Sequence, residues 1–325
     1  AFAAALAVAA VPATMLPAAA LAASASAQEC TAAQQRAAAE RLLASLNRQT
    51  GTIPIDVAKA DLVLGDRYYF VGPDQTRSIL VDIWRNPPEA ADNVLGMVFP
   101  KGKSFVDDSW SAVITFERSG YVSDEDAKTI DYDALLADMR KTDEEQAARV
   151  RAQGYPAGIV QRWAQAPTYD AAKHSLVWAR DIKFDGSSED ALNYDIRLLG
   201  RSGVLSMNII AGMSQLGEVH EAARIFAQVA SFRAGARYAD FDPSMDEKAE
   251  YGLAGLVAAG AGAAVAKKVG LLAILAKFGK LIFIAIIGAF VVLRNRIGRL
   301  FGRHPTLEAW EWEAPATAAE DDPKA

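Results

Sequence analysis

The chain has 325 residues, 51% of them hydrophobic and 23% charged, with 34 Lys and Arg against 40 Asp and Glu. That length supports one or two domains with a hydrophobic core, and the composition excludes a disordered or collagen-like polymer. A single Cys excludes a disulfide framework and a Cys-rich zinc module, and a formal charge of −6 leaves no basic face for nucleic acid.

Residues 1–29 contain no Lys or Arg and one acid, Glu29. Ala, Val, Leu and Pro dominate to Ala23, and Ala25-Ser26-Ala27 supplies a small-x-small cleavage pattern before Gln28, so residues 1–27 read as a secretory signal peptide. A basic n-region and an initiator Met are missing, which places the start of this sequence a few residues inside the leader. Cys30 lacks the tripeptide of a lipoprotein signal and reads as a free thiol.

Residues 28–250 read as the exported domain. Thr31 with Gln34 forms a capping box, and Ala39, Leu42, Leu43 and Leu46 stand at helical spacing, which predicts a helix to about Arg48, stopped by Gly51. Strands follow at Thr52–Ile55, Tyr68–Val71, Val94–Phe99, Ala112–Glu117, Ile159–Trp163, Leu176–Ile182, Leu192–Leu199 and Val204–Ile210. Helical patterns lie at Gln75–Trp84, Tyr132–Arg151 and Gln215–Val229. Strand follows strand without regular βαβ alternation, so the fold class is α+β with a largely antiparallel sheet flanked by helices.

One hairpin is legible in register. With Gly200-Arg201-Ser202-Gly203 as the turn, 199 faces 204, 197 faces 206 and 195 faces 208. Leu192, Tyr194, Ile196 and Leu198 then share a face with Leu205, Met207 and Ile209, while Asn193, Asp195, Arg197, Ser206 and Asn208 share the other. The polar set is either a solvated sheet face or the floor of a binding groove. Tyr194→Asp or Ile196→Asp is expected to unfold the domain, and Asn193→Ala to be tolerated for folding.

Between Gly252 and Leu293 there is no acid, and the only charges are Lys267, Lys268, Lys277 and Lys280. A bilayer core needs about 20 helical residues. The uninterrupted run Leu281–Leu293 therefore extends back to about 274, with Lys277 and Lys280 snorkelling, to give one transmembrane helix over 274–293. Arg294, Arg296, Arg299 and Arg303 follow it, and with the leader they place a short cytoplasmic tail at 294–325. Residues 252–273 read as an Ala/Gly-rich amphipathic or membrane-associated helix. Ala254, Ala258, Gly262 and Ala266 lay small side chains along one of its faces, suited to self-association or to lying at the interface.

Ordered motifs carry a family resemblance over nearly the whole mature chain. They are Trp84-x-Asn86-Pro87-Pro88, Leu95-Gly96-Met97-x-Phe99-Pro100, Gly120-Tyr121-Val122-Ser123-Asp124-Glu125-Asp126-Ala127 and Ile130-Asp131-Tyr132-Asp133. Gly154-Tyr155-Pro156, Pro167-x-Tyr169-Asp170, Leu176-x-Trp178-Ala179, Leu192-Asn193-Tyr194-x-Ile196-Arg197-x-Leu199-Gly200-Arg201 and Tyr238-Ala239-Asp240-Phe241 follow. The chain resembles the bacterial membrane-anchored proteins of the domain of unknown function 2167 family. The resemblance implies a Gram-negative envelope protein with an exported domain and a C-terminal anchor, and carries over no catalytic residues.

The chemistry-bearing residues give few candidates. Asp124, Glu125, Asp126, Asp131 and Asp133 are dense, but an EF-hand loop from Asp124 needs Gly at 129 and Glu at 135, where the chain has Thr129 and Leu135. Ser123 with Asp126 reads instead as a local capping pair, and Asp131 as the cap of the helix from Tyr132. His174 and His220 belong to no nucleophile motif. Trp110, Trp163 and Trp178 suit either core packing or a stacking platform.

The expectation is a protein of the inner membrane, single-pass, with its main domain in the periplasm. It acts as a non-enzymatic binding or assembly module that meets lipid and another envelope protein or a second copy, with no cofactor, no metal and no nucleic acid. Asn193, Arg197 and Asn208 are its candidate binding residues. The alternative is an envelope hydrolase or transferase with Asp124, Asp126 or Asp131 as acid and base.

Overall fold

The alternating runs pair into one nine-stranded sheet, seen in a computed structural model that describes residues 33–258. A helix over 33–45 (α1) leads into β1 (Gln49–Ile55) and β2 (Ala60–Val71). A short α2 (Pro73–Arg77) widens into π-type hydrogen bonding over Ser78–Ile83, followed by β3 (Val94–Pro100), β4 (Ser111–Glu117) and β5 (Tyr121–Ser123). Then come α3 (Tyr132–Ala152), β6 (Gly158–Asp170), β7 (Ser175–Phe184), β8 (Ala191–Leu199) and β9 (Val204–Gly212). The described chain closes with α4 (Leu216–Val229), β10 (Ala230–Phe232), β11 (Lys248–Gly252) and α5 (Leu253–Ala258).

The main sheet runs β1-β2-β3-β4-β9-β8-β7-β6, with β10 added against β2, and all these pairs are antiparallel. The α+β class with a large antiparallel sheet flanked by helices is therefore observed. β5 and β11 form a separate parallel pair. Among the described residues no helix is long and apolar enough to cross a membrane, and the expected span over 274–293 lies outside them, as does the leader over 1–27.

The hairpin has the expected register, with Leu199 opposite Val204, Arg197 opposite Ser206 and Asp195 opposite Asn208. Its apolar face meets α4, whose Val219, Ala222, Ala223, Phe226 and Val229 recur at helical spacing and bury a stripe against β2, β8 and β9. Phe226 sits edge-on to Tyr68 and Trp110 at 5.5 and 6.0 Å between ring centroids. The opposite face is covered too. α1 and the α2 region seal its β3 side around Trp84, Met97 and Phe99, while α3 and α5 seal its β7 side around Met139, Trp178 and Leu256. Because helices lie over both faces, every residue of β8 and β9 is buried, and the polar set between the two seals is not a solvated face.

Several elements depart in length from expectation or are too short to read. β2 begins at Ala60 and β6 continues to Asp170, both beyond their apolar runs, while β5, β10 and α5 are too short to carry a period. The first helix ends before Arg48 because Gln75 clasps its exit, accepting from Asn47 N and donating to Ser45 O, each at 2.8 Å. Trp110 and Trp178 are buried in separate clusters on opposite sheet faces, and Trp163 Nε1 donates to Tyr132 O at 3.2 Å, so the three form no shared platform.

Candidate functional site

Cross-strand geometry assembles a polar layer inside the fold. On β7, β8, β9 and β4, Trp178, Asp195, Asn208 and Val113 form one row, Arg180, Asn193, Ile210 and Ser111 the next, and Leu176, Arg197, Ser206 and Thr115 the third. Asp195, fully buried, accepts from Arg197 at 2.9 Å and from Arg180 at 3.2 Å. Arg180 also donates to Asn193 Oδ1, Asn193 Nδ2 donates to Asn208 Oδ1 at 2.7 Å, and Arg197 donates to Ser206 Oγ. The Arg197 guanidinium lies 5.4 Å from the Trp178 ring centroid.

The three expected binding residues, Asn193, Arg197 and Asn208, are thus brought together, but beneath cover, with Asn193 bonded to Asn208 and Arg197 to Asp195 and Ser206. Removing one partner from such a buried cluster leaves an uncompensated charge or polar group. Asp143 adds a second carboxylate from α3. Its Oδ2 accepts from Val160 N at 3.0 Å, and Arg140 Nε donates to Val160 O at 3.1 Å, so α3 satisfies both backbone groups at a bulge in β6. Desolvation pushes Asp143 up to about 6, while the bond from Val160 and the charge of Arg180 pull it down.

The acidic trio is dispersed among separate duties. Asp131 caps α3 as expected, accepting from Ala134 N at 2.9 Å. Asp126 does not cap a local helix with Ser123. It reaches across the sequence to α5, where its two oxygens accept from Leu253 N and Ala254 N, each at 3.0 Å. A Cβ at Gly252 would lie 2.7 Å from that carboxylate, so only glycine admits the contact. Asp124 accepts from Tyr169 Oη at 2.7 Å, and Tyr169 Oη lies 3.3 Å from His174 Nδ1. Desolvation first, and the Asp124 bond second, raise the Tyr169 hydroxyl well above the ordinary phenol range. Among the described residues no group of three His, Cys, Asp or Glu is placed to hold a metal ion.

Beside Asp124 four rings stack in sequence. His174 lies 4.2 Å from Tyr238, Tyr238 lies 4.4 Å from Tyr121, and Tyr121 lies 3.9 Å from Phe241. Tyr121, Tyr169 and Tyr238 come from three of the motif runs, which therefore meet in space. Gly120 permits the meeting: at φ +84° its missing Cβ would sit 2.7 Å from Glu247 O on the approach to β11. Sequence reasoning missed Arg180 and Asp143 as partners of the polar layer. The available signal was a charged pair, Arg180-Asp181, inside the otherwise apolar run of β7.

The fold and this site define an α+β domain on a large antiparallel sheet with a buried ionic layer. The chain belongs to the family described as Protein of unknown function (DUF2167), which it matches over residues 47–291. No curated protein matches it. Among solved structures it is similar to the solution structure of cyanobacterial PsbP (CyanoP) from Synechocystis sp. PCC 6803, at 7% identity and a TM-score of 0.34, covering 58% of this chain and 93% of that one. A similarity at that score carries no argument about function.

Proposed function

We propose that the chain is an exported binding or assembly module of a Gram-negative envelope, held to the inner membrane by a span over about 274–293 and acting without chemistry of its own. The observation that supports the reading is the grip on α5. Leu253, Leu256, Val257 and Ala258, the first residues of the long apolar stretch, are buried in the core with Met139 and Trp178, and Asp126 fastens the start of that helix. A domain on a simple leash would meet its anchor through an exposed polar linker. Here the first residues of that stretch are part of the core, as suits a body that must be presented in a set pose to lipid, to another envelope protein or to a second copy. The use of Asp126 and Asp131 as helix caps supports the same reading, since both are then committed to structure.

A second reading, an envelope hydrolase or transferase, draws on the Asp124, Tyr169 and His174 chain of hydrogen bonds. Crosslinking in intact cells followed by affinity recovery from membranes tests the first. Wild type is expected to bring down a discrete envelope protein or a second copy, Asp126→Ala less of it, and Asp124→Asn the same amount. Recovery of no discrete species from wild type would overturn the module.

A further inference from the structure

We propose that the cleft beside the β1 and β2 bend binds a phosphate-bearing ligand. The cleft arises from pairing geometry. β1 pairs Gln49 with Phe70 but Gly51 with Gly65, where continued register would give residue 68, so three residues of β2 bow out of the ladder. The space left is an open cavity of about 660 Å³, within the size range of small-molecule sites. Its walls are the end of α1 on one side and the 101–107 loop on the other. Tyr69 fixes that loop, donating from its hydroxyl to Lys103 O at 2.7 Å while its ring stacks on Phe99 at 5.4 Å.

The donors converge from two sides. Arg48 comes from the α1 side, held 5.5 Å over the Tyr69 ring centroid, and Lys101 and Lys103 come from the loop. Asp66 and Asp107 also line the cavity, which leaves one excess positive charge in a chain of net −6. Lys101 meets Asp66 only at 3.8 Å, with both side chains largely exposed, a pair too weak to hold the ammonium from an incoming anion. Cations from two facing walls suit the tetrahedral oxygens of phosphate, whereas a carboxylate offers two oxygens in one plane. The phosphate can be that of a lipid headgroup or of a soluble ester.

Calorimetric titration of the full chain in dodecyl maltoside, which contains no phosphate, tests this with inorganic phosphate, glycerophosphoglycerol and acetate. Inorganic phosphate or glycerophosphoglycerol is expected to bind, with affinity falling about ten-fold in Lys103→Gln and in Arg48→Gln, the loss of one charge-assisted contact. Asp66→Asn is expected to strengthen binding about three-fold by removing a competing charge. These side chains are exposed, so the variants keep the fold. Glycerophosphoglycerol binding more tightly than inorganic phosphate assigns the site to a lipid headgroup, and the reverse assigns it to a soluble source. Acetate binding as tightly as both, no heat from either phosphate probe, or affinities unchanged in Lys103→Gln and Arg48→Gln would each overturn the proposal.

Discussion

The two faces of β8 and β9 are buried to the same degree by opposite means. Toward α4 the hairpin presents Leu192, Tyr194, Ile196, Leu205, Met207 and Ile209, and the helix covers them with a matching apolar stripe. Toward α3 and α5 the same strands present Asn193, Asp195, Arg197, Ser206 and Asn208, joined to one another and to Arg180. The first face is held by area removed from water, which tolerates swaps of similar volume. The second is held by directional bonds among groups that have lost their water, where each member depends on the others. Equal burial therefore conceals unequal tolerance, and neither face is a spare surface.

Three substitutions sharpen that contrast. Ile196→Asp places a lone carboxylate against α4, at a cost of several kcal/mol, and is expected to abolish the folded state in near-ultraviolet circular dichroism. Asn193→Ala, expected from the sequence to be tolerated, removes from this fully buried layer one acceptor of Arg180 and the donor to Asn208, leaving two buried groups each short of one bond. A loss of roughly 3 kcal/mol in urea unfolding is expected, at about 1–3 kcal/mol for each orphaned group. A neutral result would mean that water reaches the layer.

The third is read against pH. Asp143 is raised in the fold from its ordinary value to about 6, so the native state binds its proton more tightly than the unfolded chain does. Its contribution is therefore most favourable below the unfolded value and is lost as pH rises through about 6. Asp143→Asn, which cannot ionise, is expected to gain about 2 kcal/mol on wild type when unfolding is compared at moderately acid and at slightly alkaline pH. A gap constant across that range would place Asp143 in contact with water.

The register of β8 on β9 was legible because a glycine-bounded turn and two strictly alternating strands allow only one pairing that keeps the faces unmixed. Gly200 N donating to Gly203 O at 2.8 Å closes that turn. What covers the polar face was not legible, because α3 and α5 come from distant parts of the chain and α5 has only six residues. Asp126 shows the same limit. Its neighbours suggest a local cap with Ser123, yet its partners are 127 and 128 residues away. The cleft was equally hidden, since a register slip in β1 and β2 leaves no periodic trace.

The seat of α5 also sets how the molecule would bear tension. A pull on the chain beyond Ala258 meets first the four buried side chains of α5 and the two bonds from Asp126. It then passes into β11, whose partner β5 lies parallel to it, and into Tyr251, whose hydroxyl donates to Glu117 of β4 at 2.6 Å. The load path thus runs from the chain's C-terminal segment straight into a central strand, so strain in that segment is delivered to the middle of the sheet and not to its rim.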